Sequence, residues 1–102
     1  MDNEIMELTR CFVEALHPVK IYLFGSFAYG TPNENSDYDF YIVVDEAAEN
    51  LFELTCKAYK SIREKRKRPV DIMVGTVEGF DKRKDEMYLE KDVYNKGVLL
   101  YE

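Results

Sequence analysis

The chain has 102 residues and a formal net charge of -6 at pH 7, from 14 basic and 20 acidic side chains. This length predicts a single domain over residues 1–102. The acidic balance argues against a nucleic-acid-binding protein, and no apolar stretch approaches the roughly 20 residues that a membrane-spanning helix needs. The acidic start of the chain lacks the apolar segment of a secretory signal, so we expect a cytoplasmic protein with no membrane contact.

The first predicted elements are a helix and two strands. Apolar side chains recurring at helical intervals indicate a helix over residues 3–16, which Pro18 ends. Residues 19–24 are β-branched and aromatic, which is typical of a strand with a buried face. The Gly, Pro, Asn, Ser and Asp residues of segment 30–37 predict a loop. Residues 38–44 predict a second strand.

A long helix is predicted next, over residues 46–66, with Asp45 as its N-cap. Its C-terminal end is basic over residues 65–68, and Pro69 stops it. The side chains expected on its buried face are Leu51, Thr55, Ala58 and Ile62.

The last part of the chain predicts a strand over residues 70–74 and a helix over 78–96, with Gly97 in the C′ position. The apolar tail that follows can add a short extended piece. Strands that alternate with helices in this order indicate an α/β or α+β fold, in which helices cover one small sheet.

Asp37 and Asp39 stand at the start of the second predicted strand, and Asp71 lies inside the third. Because strand side chains alternate between faces, Asp37 and Asp39 point the same way and repel each other unless a cation lies between them. Mg²⁺ is often held by one or two carboxylates plus substrate phosphates. If the two strands are neighbours, Asp71 completes a three-carboxylate cluster suited to two-metal phosphoryl transfer. The alternative is that the first pair merely caps a turn.

Gly25 and Ser26 directly follow the first predicted strand. Glycine permits a tight turn and a close approach of the backbone to a ligand. The N–H groups of such a turn, or of a short helix over 26–29, can bind an anion, and Gly30 leaves space at the other end of this segment. An ordinary turn is the alternative interpretation. Neither the P-loop motif nor the dinucleotide-binding glycine motif is present in the sequence.

Together these residues form a specific combination. Gly25-Ser26, ten intervening residues, Asp37-Tyr38-Asp39 and a later strand aspartate, Asp71, resemble the signature of the minimal nucleotidyltransferases of the polymerase-β-like superfamily. The resemblance covers nearly the whole chain. It implies the core of that superfamily, a small mixed β-sheet flanked by helices.

The resemblance also implies a role for each matching residue. Asp37, Asp39 and Asp71 would hold two Mg²⁺ ions against the triphosphate of ATP or another nucleoside triphosphate. Asp71 would also help to deprotonate the acceptor hydroxyl, and the Gly-Ser turn would seat the β- and γ-phosphates. The nucleotide-binding residues would be Gly25, Ser26 and Gly30.

The sequence departs from the family at two positions. Family members often carry Arg at one or both of the positions occupied here by Phe27 and Tyr29. An arginine binds phosphate with two parallel hydrogen bonds, so its absence predicts weaker nucleotide binding. The basic residues 65–68 could compensate, but cations at a helix C-terminus also simply complement the helix dipole.

The length of the chain leaves no room for a domain that would hold the acceptor, so we expect another chain to supply it. The resemblance implies a HEPN-type ribonuclease toxin as partner, with this chain as the antitoxin that adenylylates a tyrosine of the toxin. Two alternatives stay open. One is a non-catalytic antitoxin that neutralises its partner by binding alone, and the other is a nucleotide-binding sensor that releases no pyrophosphate.

Overall fold

The computed structural model describes residues 3–45, 50–86 and 88–102. Nine helices and strands occur within these ranges. In chain order they are α1 (Asn3–Leu16), β1 (Lys20–Phe24), α2 (Ser26–Tyr29), β2 (Tyr38–Val44), α3 (Leu51–Ile62), β3 (Val70–Thr76), α4 (Val77–Arg83), α5 (Leu89–Lys96) and β4 (Val98–Tyr101).

The four strands form one mixed sheet in the order β3-β2-β1-β4. Strand β1 pairs antiparallel with both β2 and β4. Strand β2 pairs in parallel with β3, and helix α3 makes the crossover between them. A parallel pair needs such a crossover because both strands must enter the sheet from the same end.

Helices α1 and α3 cover the first face of the sheet. Because strand side chains alternate, β2 directs Phe40, Ile42 and Val44 to this face, and all three are buried. The ring of Phe12 from α1 meets the ring of Phe40 edge-on, with centroids 5.0 Å apart. The buried side chains of the two helices are Ile5, Leu8, Thr9, Phe12, Leu16, Leu54, Ala58 and Ile62.

Helices α4 and α5 cover part of the second face. Phe80 of α4 stacks on Tyr22 of β1 with ring centroids 5.3 Å apart. The hydroxyl of Tyr41 donates a hydrogen bond of 2.7 Å to the buried carboxylate of Glu90 on α5. Met73 of β3 is 46% exposed on the same face. The helices therefore leave the β3 side of this face open.

The structure changes two details of the helix predicted over residues 46–66. Helix α3 runs only from Leu51 to Ile62, and its N-cap is Asn50, whose side chain accepts from the N–H groups of Phe52 and Glu53. The predicted cap, Asp45, was therefore wrong, and residues 46–49 lie outside the described residues.

The predicted buried face of this helix was also partly wrong. Leu51 is 37% exposed, and Thr55 is half-buried with its hydroxyl donating to the Leu51 carbonyl at 2.8 Å. The buried side chains recur at strict intervals of four residues, which places them on one helix face. They are Leu54, Ala58 and Ile62.

The helix predicted over residues 78–96 is two helices, α4 and α5. Thr76 caps α4 by accepting from the N–H of Gly79 at 3.1 Å, and Tyr88 has the extended backbone of an N-cap at the start of α5. The break lets Phe80 and Val93 reach the same buried cluster. Met87, within the break, lies outside the described residues.

Gly97 ends α5 without the left-handed conformation that the C′ prediction requires. Its φ is -71° and its ψ is 164°, an extended conformation open to any residue. Glycine is needed there for space, because a Cβ would overlap the carbonyl oxygen of Val93. The tail after it forms β4, an edge strand of the sheet.

Among the described helices, none has both the length and the apolar character that crossing a membrane requires.

Candidate functional site

One end of the sheet brings the predicted site residues together. Phe24, the last residue of β1, is paired with Asp39 near the start of β2. Asp39 is in turn paired with Asp71 near the start of β3. Gly25 and Ser26 follow Phe24 directly. The Gly-Ser turn and these two aspartates therefore lie side by side across three adjacent strands.

Asp39 and Asp71 lie opposite each other on the paired strands β2 and β3. The pKa of Asp39 is raised from 3.8 to about 6, first by burial and then by the negative charges of Asp71 and Asp37. At neutral pH the charges of this pair therefore repel each other, and a cation between the two groups would relieve the repulsion.

Asp37 lies one residue before β2 and is half-buried. Its charge contributes to the raised pKa of Asp39, so it is near the pair. Within the parts of the chain that the structure describes, no group of three or more His, Cys, Asp or Glu side chains is arranged as a metal site. Asp39 and Asp71 thus form a pair on neighbouring strands, and Asp37 is a third carboxylate that acts on Asp39 through its charge.

Gly25 makes room for Asp39. Its φ is 75°, in the left-handed region that favours glycine. A Cβ at this position would overlap the carboxylate of Asp39. The close approach between the turn and the carboxylate therefore requires glycine. The approach of this turn to a ligand stays a prediction.

Helix α2 follows Gly25 and is a single turn. The Gly25 carbonyl accepts from the N–H groups of Ala28 and Tyr29 at 3.0 and 3.1 Å, and the N–H of Gly30 donates to the Ser26 carbonyl at 3.1 Å. A Cβ on Gly30 would lie 2.8 Å from the Ser26 Cα. Gly30 therefore closes the turn tightly on Ser26, which is half-buried beside the aspartates.

Arg68 belongs to the surroundings of this site, and the sequence prediction missed its position. Residues 65–68 were predicted as the basic end of a helix, but α3 ends at Ile62. The Arg68 guanidinium lies 5.0 Å from the centroid of the Phe27 ring and donates to the Ser36 carbonyl at 3.2 Å. The sequence contained one indication of this position: Arg68 lies three residues before Asp71, at the entry to the strand that carries this aspartate.

A surface depression of about 360 Å³ is separate from the aspartates. It lies at the carboxyl end of β3 and the start of α4, whereas Asp71 is near the amino end of β3. Its lining residues are Thr76, Glu78, Gly79, Lys82 and Arg83.

The comparison with protein families decides the assignment of the chain. The model of the nucleotidyltransferase domain family matches residues 5–100. The chain belongs to this family. The resemblance seen in the Gly-Ser and Asp-x-Asp residues is thereby confirmed. A comparison with curated proteins finds no significant match for this nucleotidyltransferase domain.

Three solved structures are similar to this nucleotidyltransferase domain. A Sulfolobus solfataricus protein provisionally assigned as a nucleotidyltransferase has a TM-score of 0.63 and 22% identity, over 94% of this chain and 75% of that one. A toxin–antitoxin complex with AMP-PNP gives 0.57 and 27%, over 97% and 71%. The toxin–antitoxin MntA-HpeT, with two Asp-to-Glu substitutions, gives 0.52 and 22%, over 97% and 71%. The predicted fold class, a mixed sheet flanked by helices, is confirmed.

Asp39 and Asp71 carry oxygen donors of the kind that suits the divalent metal generally used by this family. Carboxylate oxygens are the ligands that Mg²⁺ prefers. A cation between Asp39 and Asp71 would relieve their repulsion and would lower the pKa of Asp39. Asp71 is exposed, so the site is open to solvent and to a ligand.

Proposed function

We propose that this domain is a Mg²⁺-dependent nucleotidyltransferase that transfers a nucleoside monophosphate, AMP from ATP, to a hydroxyl group. The observation that carries the proposal is the meeting of Gly25, Asp39 and Asp71 at one end of the sheet. The family match supports the reaction class. Three carboxylates beside a glycine-serine turn suit a triphosphate that carries divalent cations.

Each residue has a defined task in this proposal. Asp37, Asp39 and Asp71 hold two Mg²⁺ ions, which supply neutralising charge for the triphosphate and for the leaving pyrophosphate. The backbone of Gly25 and Ser26, together with Gly30, holds the β- and γ-phosphates in place. Most of the rate enhancement then comes from orienting the reactants and from fixed charges around them.

The transfer itself is a displacement at the α-phosphorus. The acceptor oxygen forms a bond to this phosphorus, and the bond from phosphorus to the bridging oxygen of the β-phosphate breaks. Pyrophosphate leaves with the bonding electrons. The acceptor hydroxyl loses its proton to Asp71, the exposed member of the carboxylate pair.

We propose further that the acceptor is a tyrosine hydroxyl of a HEPN-type toxin, and that the chain acts as the antitoxin of that toxin. Two of the similar structures are toxin–antitoxin complexes, and one of them contains AMP-PNP, an ATP analogue. The 27% identity to the AMP-PNP complex extends over 97% of this chain. We therefore assign ATP and the protein partner to the same site of this chain.

The decisive experiment measures mass. The chain is incubated with the protein encoded beside it, ATP and Mg²⁺, and the intact masses of both proteins are recorded. We expect the partner to gain the mass of one or more AMP groups. Asp39→Asn and Asp71→Asn should lower the rate at least about 100-fold, since each removes a charge on which the reaction depends. No added mass on either wild-type protein would overturn the enzymatic proposal.

One observation favours a second candidate, an antitoxin that neutralises its partner by binding alone. Phe27 and Tyr29 occupy the positions where an arginine often binds the triphosphate. For this candidate, Asp39→Asn leaves neutralisation of the partner intact in a toxicity assay. Under the enzymatic proposal the same variant fails to neutralise, although it still forms the complex.

A further inference from the structure

Arg68 contacts residues from both parts of the nucleotidyltransferase motif. Its guanidinium carbon is 5.0 Å from the centroid of the Phe27 ring and 5.1 Å from that of Tyr38. The two rings are themselves in contact, with centroids 4.6 Å apart. Phe27 directly follows Ser26, and Tyr38 stands between the aspartates of the Asp-x-Asp pair. One cation therefore stacks on residues from both parts of the motif.

The segment before β3 also fixes the backbone on both sides of Asp37. On the N-terminal side, the Arg68 Nη1 donates to the carbonyl of Ser36 at 3.2 Å. On the C-terminal side, the N–H of Tyr38 donates to the carbonyl of Pro69 at 3.1 Å. Asp37 is thus bracketed by two hydrogen bonds to neighbouring residues of one segment.

The hydrogen bonds within the loop that leads to Asp37 are local. They join Asn33 to Asn35 and Ser36, which shapes the turn but does not attach it to the sheet. Arg68 attaches it, with a second contact of 3.5 Å from Nη1 to the Asn33 carbonyl. A planar guanidinium can hold two carbonyls and stack on rings together, which a lysine ammonium cannot do as well.

We propose that Arg68 is a positioning residue that fixes Asp37 and the Gly-Ser turn relative to each other. It acts through the Ser36 carbonyl and the Phe27 and Tyr38 rings. The inference rests on the proposed function to the extent that Asp37 is taken as a metal ligand. This role also explains the positive charge near Phe27, because the Arg68 guanidinium contacts carbonyls and rings of the protein itself.

The test uses Mn²⁺ alone as a probe. The direction in which Mn²⁺ affinity changes on substitution of Arg68 distinguishes a positioning role from an effect of its charge. Arg68→Met removes a positive charge from the segment that enters β3, and electrostatics alone predict Mn²⁺ binding that is unchanged or tighter. Loss of positioning predicts weaker binding, by roughly 10- to 100-fold, as for other residues that orient metal ligands. Titration of the full chain followed by the electron paramagnetic resonance signal of free Mn²⁺ measures this affinity.

Two further variants and one control complete the design. Arg68→Lys keeps the charge but not the planar fork, so we expect its Mn²⁺ affinity to lie between those of wild type and Arg68→Met. Phe27→Leu removes one stacked ring and should weaken Mn²⁺ binding in the same direction, by less. Arg63→Met removes an exposed cation from the residue that follows α3 and should bind Mn²⁺ as wild type does.

Amide hydrogen exchange of the metal-free proteins measures directly how firmly Arg68 holds the neighbouring backbone. We expect faster exchange at Tyr38 and at residues 26–30 in Arg68→Met, with protection in α1 unchanged. Unchanged or tighter Mn²⁺ binding, or unchanged exchange in these segments, overturns the inference. If wild type binds no Mn²⁺, the proposed function fails, whereas the exchange measurement still decides the role of Arg68.

Discussion

Asp39 lies between a glycine that leaves room for its carboxylate and an aspartate that repels it. Gly25 has no side chain to occupy that space, and the negative charge of Asp71 acts on Asp39 from the neighbouring strand. Burial raises the pKa of Asp39 further. In the metal-free protein these residues are therefore a local source of instability that a bound cation removes.

Asp39→Asn should stabilise the metal-free protein at pH 8 more than at pH 4. The pKa of Asp39 is about 6 in the folded protein, raised from 3.8. The stability contributed by its protonated form is therefore complete below about pH 4 and is lost as the pH rises through about 6. Because about 1 kcal/mol corresponds to a Tm shift of roughly 4–8 °C in a domain of this size, we expect a rise of several degrees at pH 8. Thermal unfolding in EDTA measures it, and equal shifts at both pH values would contradict the assignment.

Gly25→Ala should destabilise the fold and weaken nucleotide binding together. The left-handed conformation at φ 75° costs a non-glycine residue about 1–2 kcal/mol, and the added Cβ displaces the Asp39 carboxylate. Urea unfolding gives the stability, and a titration with AMP-PNP and Mg²⁺ gives the affinity. Gly79→Ala is the matched control, because Gly79 lies in α4 without a left-handed φ. Equal effects of the two substitutions would refute the argument.

At the scale of elements, the crossover from β2 to β3 sets the geometry of the site. Helix α3 packs Leu54, Ala58 and Ile62 on the first face of the sheet and returns the chain so that β3 runs parallel to β2. Only this parallel register places Asp71 opposite Asp39. A one-residue slip would turn Asp71 to the other face of the sheet.

Removing the cap of α3 should lower stability without changing the site chemistry. The Asn50 side chain accepts from the N–H of Phe52 at 2.8 Å and from that of Glu53 at 3.4 Å. Asn50→Ala loses both contacts, and we expect a decrease of about 1 kcal/mol in the free energy of unfolding. Asn50→Asp keeps an accepting oxygen at the helix N-terminus and should stay within a few tenths of wild type. Chemical denaturation distinguishes the two, and a neutral Asn50→Ala would show that the cap contributes nothing.

At the scale of the whole molecule, the two layers of helices cover the two faces of the sheet to different extents. Helices α1 and α3 bury the larger core on the first face. Helices α4 and α5 attach to the second face through Phe80, Val93 and the Tyr41–Glu90 hydrogen bond, and they leave its β3 side open. The open part of this face lies beside Asp39 and Asp71, so the architecture itself gives a ligand access to the carboxylates.

Tyr41→Phe should loosen the second layer. Burial and the hydrogen bond to Glu90 raise the pKa of the Tyr41 hydroxyl, which therefore stays protonated and donates to a carboxylate that is 7% exposed. Losing this donor should cost about 1–3 kcal/mol, because it takes a hydrogen bond from a buried charge. The double variant Tyr41→Phe with Glu90→Leu removes the charge as well and should lose less than the two single variants added together. Additive losses would mean that the two side chains are not coupled.

The local structure and the family of the chain can be inferred from its sequence. The helix at the start, the strands that carry Asp39 and Asp71, and the loop before Asp37 follow from periodicity and turn residues, which act over a few neighbouring positions. The spacing of glycine, serine and aspartates also sufficed to indicate the nucleotidyltransferase family. These features are local because backbone conformation and side-chain alternation repeat within two to four residues.

Which distant groups meet depends on the tertiary structure. The parallel pairing of Asp39 with Asp71, the stacking of Arg68 on Phe27 and the break between α4 and α5 all depend on contacts between residues far apart in the chain. The cap at Asn50 in place of Asp45 belongs here too, since the start of α3 is set by where its buried face meets the core. Packing selects among local alternatives of similar free energy, and a periodic pattern in the sequence contains no information about that selection.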